Sequence, residues 1–235
     1  MKISVLKKKY NFSEDNLSKI QQAVMNAEKN SEGEVAIAIT PSSSFYTLWE
    51  LLVAIVLSFL VSAFLVPFSS EIESFLLNVL WQTNSWSVPL FILAIQMLSI
   101  AFFYLLSNIS AIDRIIVPRR VMDGFVQNKA LRQFVLSGVG STKKRTGILI
   151  FVSVLEKKVQ IICDSGILSS TTQDEWDSIA TELAQGFSSK DPSFAIIDAL
   201  GKCANLFEQN FPLPQSECNE NELSDSVIFV DGGEL

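Results

Sequence analysis

Two uninterrupted apolar runs, at residues 48–68 and 88–107, constrain this chain more than any other feature. The first reads "LWELLVAIVLSFLVSAFLVPF" and has Glu50 near its start as its one charge. The second has no charge, and Gln96 is its strongest polar group. Each reaches the ~20 residues that a helix needs to cross a bilayer, and Trp49, Trp86 and Tyr104 sit near the ends, where interfacial aromatics collect. Two buried helices of a soluble core are the alternative. So much uncharged length is hard to enclose in a domain of this size.

The distribution of Lys and Arg gives an orientation, because short cytoplasmic segments are enriched in both. The loop between the runs carries Glu71 and Glu73 and no base. The segment before them carries Lys2, Lys7, Lys8, Lys9, Lys19 and Lys29, and the segment after them Arg114, Arg119 and Arg120. Both termini are therefore expected in the cytoplasm. The loop stretch "EIESFLLNVLW" sets Ile72, Phe75, Leu76 and Val79 on one helical face, as an interfacial helix does. No cleavable signal precedes the first run, since residues 1–6 are too short an apolar region and lead into Lys7–Lys9.

Outside the runs the chain reads as an ordinary α/β protein. Residues 12–30 form an amphipathic helix with Ser13 as cap and Leu17, Ile20 and Val24 on one face. A short apolar strand, Glu34–Thr40, follows. Beyond the second run, a helix is expected over 118–137. The stretch "KKRTGILIFVSVLEKKVQIICDSGI" then gives strands at 148–154 and 159–164, antiparallel about a charged turn. The first of these is apolar at both parities, as in a strand covered on both faces. Thr172 and Glu175 make a capping box for a helix with Trp176, Ile179, Leu183 and Phe187 on its stripe. Asp191 and Pro192 open a last helix carrying Ile196, Leu200, Cys203 and Phe207. The acidic tail, 213–235, is expected to be loose, with Ser226–Val230 able to add an edge strand.

A strand as short as 34–40 needs partners, and those lie beyond the second run. The expected organisation is one small layered α/β domain, built from 12–40 and 118–212, interrupted by a transmembrane hairpin over 46–112 and followed by the tail.

Composition limits the chemistry. Histidine is absent, which removes Ser-His-Asp and Cys-His catalysis and His-ligated metals. The net charge of −7 argues against nucleic acid as a partner. Cys163, Cys203 and Cys218 form no CxxC pair, and the first two read as small buried residues. Asp164, before Ser165-Gly166, is either a turn cap or a ligand for a hard cation, Ca²⁺ or Mg²⁺, with Glu32, Glu34, Asp174 and Asp177 as further oxygen donors. Asp174 also suits the first turn of its helix. Arg145 and Thr146 either hold an anion or form a solvated turn before a strand. No other cofactor is indicated.

The segments "SEGEVAIAI", "KKRTGILIFVSVLEKKVQIICDSGI", "DEWDSI", "NLFEQNFP" and "NELSDSVI" resemble the TPM-domain family, and specifically its bacterial inner-membrane branch with a hydrophobic insert after the first strand. The resemblance spans residues 12–40 and 118–230. It implies a central sheet with flanking helices, and relatives are linked to acid phosphatase activity, calcium binding, or assembly and repair of photosynthetic membrane complexes. This chain departs from the common pattern at Cys163, where Ala is usual, at "KDPS" (190–193), where a glycine-rich stretch is usual, and at "NELSD", which lacks a proline after its Leu. The expected role is a membrane-anchored interaction or scaffold module whose partners are the bilayer and other membrane proteins. The alternative is a divalent-cation-dependent, phosphatase-like hydrolase working through a metal-bound water or an Asp nucleophile. A transport pathway is disfavoured by spans with so little polar lining.

Overall fold

A computed structural model describes residues 2–80, 82, 84–107, 109–187, 192–213 and 221–233. The chain forms two compact units: Met1–Phe45 with Arg120–Leu235, and Tyr46–Arg119. Asp191 and Cys218 lie outside the described residues.

In the first unit, β1 (Glu34–Thr40), β2 (Gly147–Ser153), β3 (Lys158–Cys163) and β4 (Ile228–Phe229) form one sheet in the order β3-β2-β1-β4. β1 and β2 are parallel and in register from Glu34 opposite Gly147 to Thr40 opposite Ser153. β2 and β3 are an antiparallel hairpin. Parallel neighbours require a crossover connection. Here the crossover contains the entire apolar insert and then α7 (Arg119–Leu136).

Alternation along the central strands sends side chains into two layers. Val35, Ile37, Ile39, Ile148, Ile150, Val152, Ile161 and Cys163 join one core with α2 (Glu14–Glu28), α9 (Gln173–Phe187) and α10 (Pro192–Asn210). Ala36, Ala38, Leu149 and Phe151 meet Val126 and Ala130 of α7 and Val139 on the opposite face. Every residue of β1 and β2 is buried, as apolarity at both parities requires. Trp176 is fully buried, its indole N–H donating to Thr171 Oγ1 at 3.0 Å, and its ring lies 5.8 Å from that of Phe207. Each such side chain contributes about 1.5–3 kcal/mol by leaving water.

The helices start where their caps stand. Ser13 Oγ accepts from Asn16 N at 3.3 Å, and Glu175 Oε2 accepts from Thr172 N at 2.8 Å and from its hydroxyl at 3.0 Å. Those bonds lower the Glu175 pKa. An additional helix, α1 (Ile3–Lys9), has no strong periodic signal, yet its Leu6 is fully buried.

The second unit consists of α3 (Thr47–Leu65), α4 (Ser69–Leu80), α5 (Ser87–Ser107) and α6 (Ser110–Ile116). α3 packs on α5 along Glu50, Ala54, Ser58 and Ser62, a stripe with one residue per turn. Small side chains there allow close approach. Ser58 Oγ lies 2.9 Å from the Gln96 carbonyl, to which it donates, and 2.8 Å from Ser99 Oγ. Most of the remaining surface of both helices is exposed and apolar: Leu48 is 81% exposed, Phe64 68% and Leu105 71%. The expected four-residue face of α4 divides. Ile72 and Leu76 are buried, Val79 is exposed, and Phe75, also exposed, meets Phe91 at 6.2 Å.

The expectation of a loose tail is corrected between residues 226 and 233. Val227 and Phe229 pack on the larger core, and Phe229 meets Phe12 edge-on at 5.8 Å with Lys7 Nζ 4.2 Å above its ring. Val230 N donates to Ile39 O at 3.0 Å. Lys129 of α7, 4% exposed, donates from Nζ to Asp231 O at 2.6 Å and to Ser42 O at 3.1 Å. Thr40 Oγ1 donates toward Ser42 O (2.9 Å) and Asp231 O (3.3 Å). A buried ammonium between two carbonyls is thus the clasp that an acidic composition hides. Lys129→Met should lower stability by about 1–3 kcal/mol, the range for a lost charged hydrogen bond and the carbonyls it strands. It should also make residues 226–233 the first to exchange amide hydrogens. Unchanged exchange there would contradict this role.

Candidate functional site

Glu32, Glu34, Arg145, Thr146 and Asp164 lie where β1 and β2 begin and β3 ends, whereas Asp174 and Asp177 lie on α9. The turn before β2 is tightly built. Arg145 has a left-handed backbone with φ +60°, and its amide donates to Thr142 O at 3.1 Å. Gly166 N donates to Arg145 O at 2.9 Å, and a β-carbon at 166 would lie 2.5 Å from that oxygen. Only glycine permits this approach of two backbones. Gly147 is equally constrained, since its β-carbon would lie 2.5 Å from Val139 O.

Asp164 follows β3. Its amide donates to Gly147 O at 3.0 Å, and its side chain is 8% exposed. Oδ1 accepts from Ser165 N at 2.6 Å and from Ser165 Oγ at 3.2 Å, so Asp164 caps the short helix α8 (Ser165–Leu168). The Arg145 guanidinium stands 3.6 Å away as its countercharge and also donates to Gly140 O at 3.0 Å. Oδ2 is buried with no hydrogen-bond partner among the described residues. Asp164 is therefore a cap with one acceptor oxygen in reserve.

The other selected residues are distributed around it. Glu32 is salt-bridged to Lys144 at 2.5 Å, and Glu32 O accepts from Thr146 Oγ1 at 2.5 Å. The Thr146 hydroxyl proton is thus committed to a backbone carbonyl, and Thr146 is 5% exposed, so it is not placed to donate to an anion. Glu34 opens β1, 2% exposed, and its amide donates to Thr146 O at 3.1 Å. Asp174 occupies the first turn of α9, and Asp177 accepts from Gln173 Nε2 at 2.9 Å. Among the described residues, no three Asp, Glu or Cys side chains are grouped so that they would hold one metal ion. The geometry brings Arg145 and Asp164 together, and Glu32 and Lys144, as two ion pairs on adjoining turns.

Two charged residues that the sequence reading missed are buried nearby or opposite. Glu28, at the end of α2, is 5% exposed and accepts from Val35 N at 2.8 Å. Burial above all, then the charges of Glu34 and Asp225, raises its pKa from 4.5 to about 8, against the opposing effect of the Val35 bond. The signal was its position four residues after Val24 on the buried stripe. Lys129 sits beside Ala130 in the same way. Both described thiols are buried, and burial pushes Cys203 up to about 12 and Cys163 higher still, which disfavours the thiolate.

Gly166→Ala should cost about 2 kcal/mol or more through the backbone clash, measured by chemical denaturation. An unaffected midpoint would refute the close approach. Glu28 gives a pH prediction. Its folded pKa lies above the unfolded value, so the folded state binds the extra proton between about 4.5 and 8. Stability is fully present below the lower value and is lost as pH rises through the upper one. The decline should total about 2–4 kcal/mol and flatten in Glu28→Gln. Trp176 fluorescence would report it in a background with Trp49, Trp81 and Trp86 changed to Phe. An equal slope in both proteins would contradict the assignment.

Residues 114–206 match the family model of the TPM domain. That range takes in α7, the β2–β3 hairpin with the Arg145–Asp164 pair, α9 and most of α10. The structure is similar to the NMR structure of the BA42 protein from the psychrophilic bacterium Bizionia argentinensis, with a TM-score of 0.52 and 16% sequence identity over 93% of this chain and 94% of that one. This likeness is one of fold. No curated protein matches the chain. The β2–β3 hairpin and the helices α7 and α9 that cover it thus lie within the part of the chain, residues 114–206, that is similar to a TPM domain.

Proposed function

We propose that this chain is a membrane-anchored TPM-domain protein of the bacterial inner membrane, and that its α/β unit is an interaction module for other membrane proteins. The observation that supports the anchor is the exposure of α3 and α5. The two apolar helices, each long enough to span a bilayer, have 17% and 6% of their most apolar windows buried. In water that surface would oppose folding by about 1.5–3 kcal/mol for each large side chain left exposed. In lipid the cost vanishes, and the Ser58 contacts satisfy hydroxyl groups that hydrocarbon cannot.

The Lys and Arg bias supports an orientation with both termini in the cytoplasm and the 69–87 loop outside. This arrangement agrees with an insert whose two ends both rejoin one sheet. The module role rests on the way the domain surrounds its anchor: its first strand precedes the hairpin, and the rest of its sheet follows.

The protein should stay with membranes through alkaline carbonate and leave them in detergent. Leu93→Arg should reduce the membrane-bound fraction, since Arg at a span's centre costs about 2.5–3.5 kcal/mol. In a Cys218→Ser background, Asn84→Cys should react with an impermeant maleimide from outside and Lys8→Cys should not. Release by carbonate alone, or the reverse labelling, would overturn the anchor or its orientation. Cross-linking in native membranes should join the α/β unit to a second membrane protein. Only self-products, or none, would count against the module role.

A further inference from the structure

A pocket of about 90 Å³ lies at the opposite end of β2 from the Arg145–Asp164 pair. Val154, Val159, Ala184 and Phe187 supply its apolar wall, with Tyr10 and Lys157 also lining it. Tyr10 is fixed against Phe187, ring centroids 5.4 Å apart. We propose that this pocket binds a small amphipathic anion: a short alkyl chain bearing a carboxylate or phosphate head.

The size sets the body of the ligand. An enclosed apolar cavity of about 150 Å³ takes benzene, so this smaller, open-sided pocket accommodates a short chain better than a ring system.

The charges set the head. Lys157 is exposed, and Lys9 Nζ stands 5.6 Å from the Tyr10 ring. Among the described residues, neither lysine has an ion-pair partner, whereas the remaining lining lysine, Lys158, is paired with Asp123. Among the described residues, no acid lines the pocket. The nearest acid in sequence, Glu156, is buried and turned inward, accepting from Ser43 N at 2.9 Å and from Ser153 Oγ at 2.5 Å. Among the described lining residues the charged groups are two lysines, of which Lys157 has no ion-pair partner, a local excess of positive charge on a chain of net charge −7.

The backbone adds an independent observation. Lys157 has φ +53°, a left-handed conformation that a side chain bearing a β-carbon adopts rarely. Asn11, directly after Tyr10, has the same φ, and Asn tolerates it. Held in this turn, Lys157 is the residue of the rim whose placement its local conformation does not favour. Such outliers concentrate where a side chain is used.

The conformation also supplies a clean variant. Lys157→Asn suits the left-handed turn better than lysine and removes the charge, so a loss of binding would not come from misfolding. The test uses the full chain in phosphatidylcholine nanodiscs, or in buffer for material soluble without lipid, with methyl signals of Val154, Val159 and Ala184 as the readout. Hexanoate and hexyl phosphate are titrated against hexanol and hexylammonium. Saturable shifts are expected from both anions below about 10 mM. Hexanol should bind at least about fivefold more weakly and hexylammonium not at all, in line with the modest strength of an exposed charge contact. Lys157→Asn should weaken hexanoate by about fivefold and leave hexanol unchanged. Absence of saturable shifts with both anions, equal affinity for hexanoate and hexanol, or an unaltered hexanoate affinity in Lys157→Asn would each overturn the proposal.

Discussion

The structure depends on the parallel ladder between β1 and β2. A buried seven-residue strand has backbone donors and acceptors that must be paired, and in this chain the partner of Glu34–Thr40 arrives only after the whole apolar insert has been made. That requirement brings the two ends of the hairpin back to one sheet. It makes the hairpin an insertion within a domain, and it couples the formation of the domain to the path of the insert. Loop-closure cost grows only slowly with length, so a long detour between paired strands is thermodynamically tolerable.

Once the ladder exists, the remaining parts find their places by side-chain size and charge. The larger core takes the branched residues of β1 and β2, and the face toward α7 takes two alanines of β1 with Leu149 and Phe151 of β2. The edge of β1 is closed by a two-residue strand from the tail, which Lys129 holds by backbone carbonyls. The turns at the two ends of β2 each contain a basic residue in a left-handed backbone conformation, Arg145 at one end and Lys157 at the other. Arg145 is engaged by Asp164 and Gly140 O, while Lys157 stands open beside an apolar pocket. The same strand thus separates a turn closed on itself from one that offers a charge.

Much of this was legible in the sequence because the signals were local. The apolar parity of β2, the charged turn before β3, the Thr172–Glu175 box and the stripe through Trp176 all appear where reading by periodicity places them. What escaped was set by tertiary contacts. The α1 helix is too short and too rich in lysine to show a periodic face, although Leu6 is fully buried. The edge strand that "SVIFV" offers does form, but its parallel pairing to β1 through two residues was not readable from the tail itself. Glu28 and Lys129 lie on buried stripes, but a pattern that treats charge as exposure passes over both. At the candidate site, the sequence offered Asp164 for a cation or a cap and Arg145 and Thr146 for an anion or a turn, and the structure gives each a specific bond. Thr146 spends its hydroxyl on Glu32 O, a contact across more than a hundred residues that no local signal announces.

The central claim, that one cooperative domain is assembled across the insert, is tested most directly by native-state hydrogen exchange on the full chain. The amides of Val35–Ile39 should be as slow to exchange as those of Ile148–Val152 and should open with them in a single global event. Rapid exchange of Val35–Ile39 while Ile148–Val152 remain protected would show that β1 is not part of the same cooperative unit, and would contradict the account.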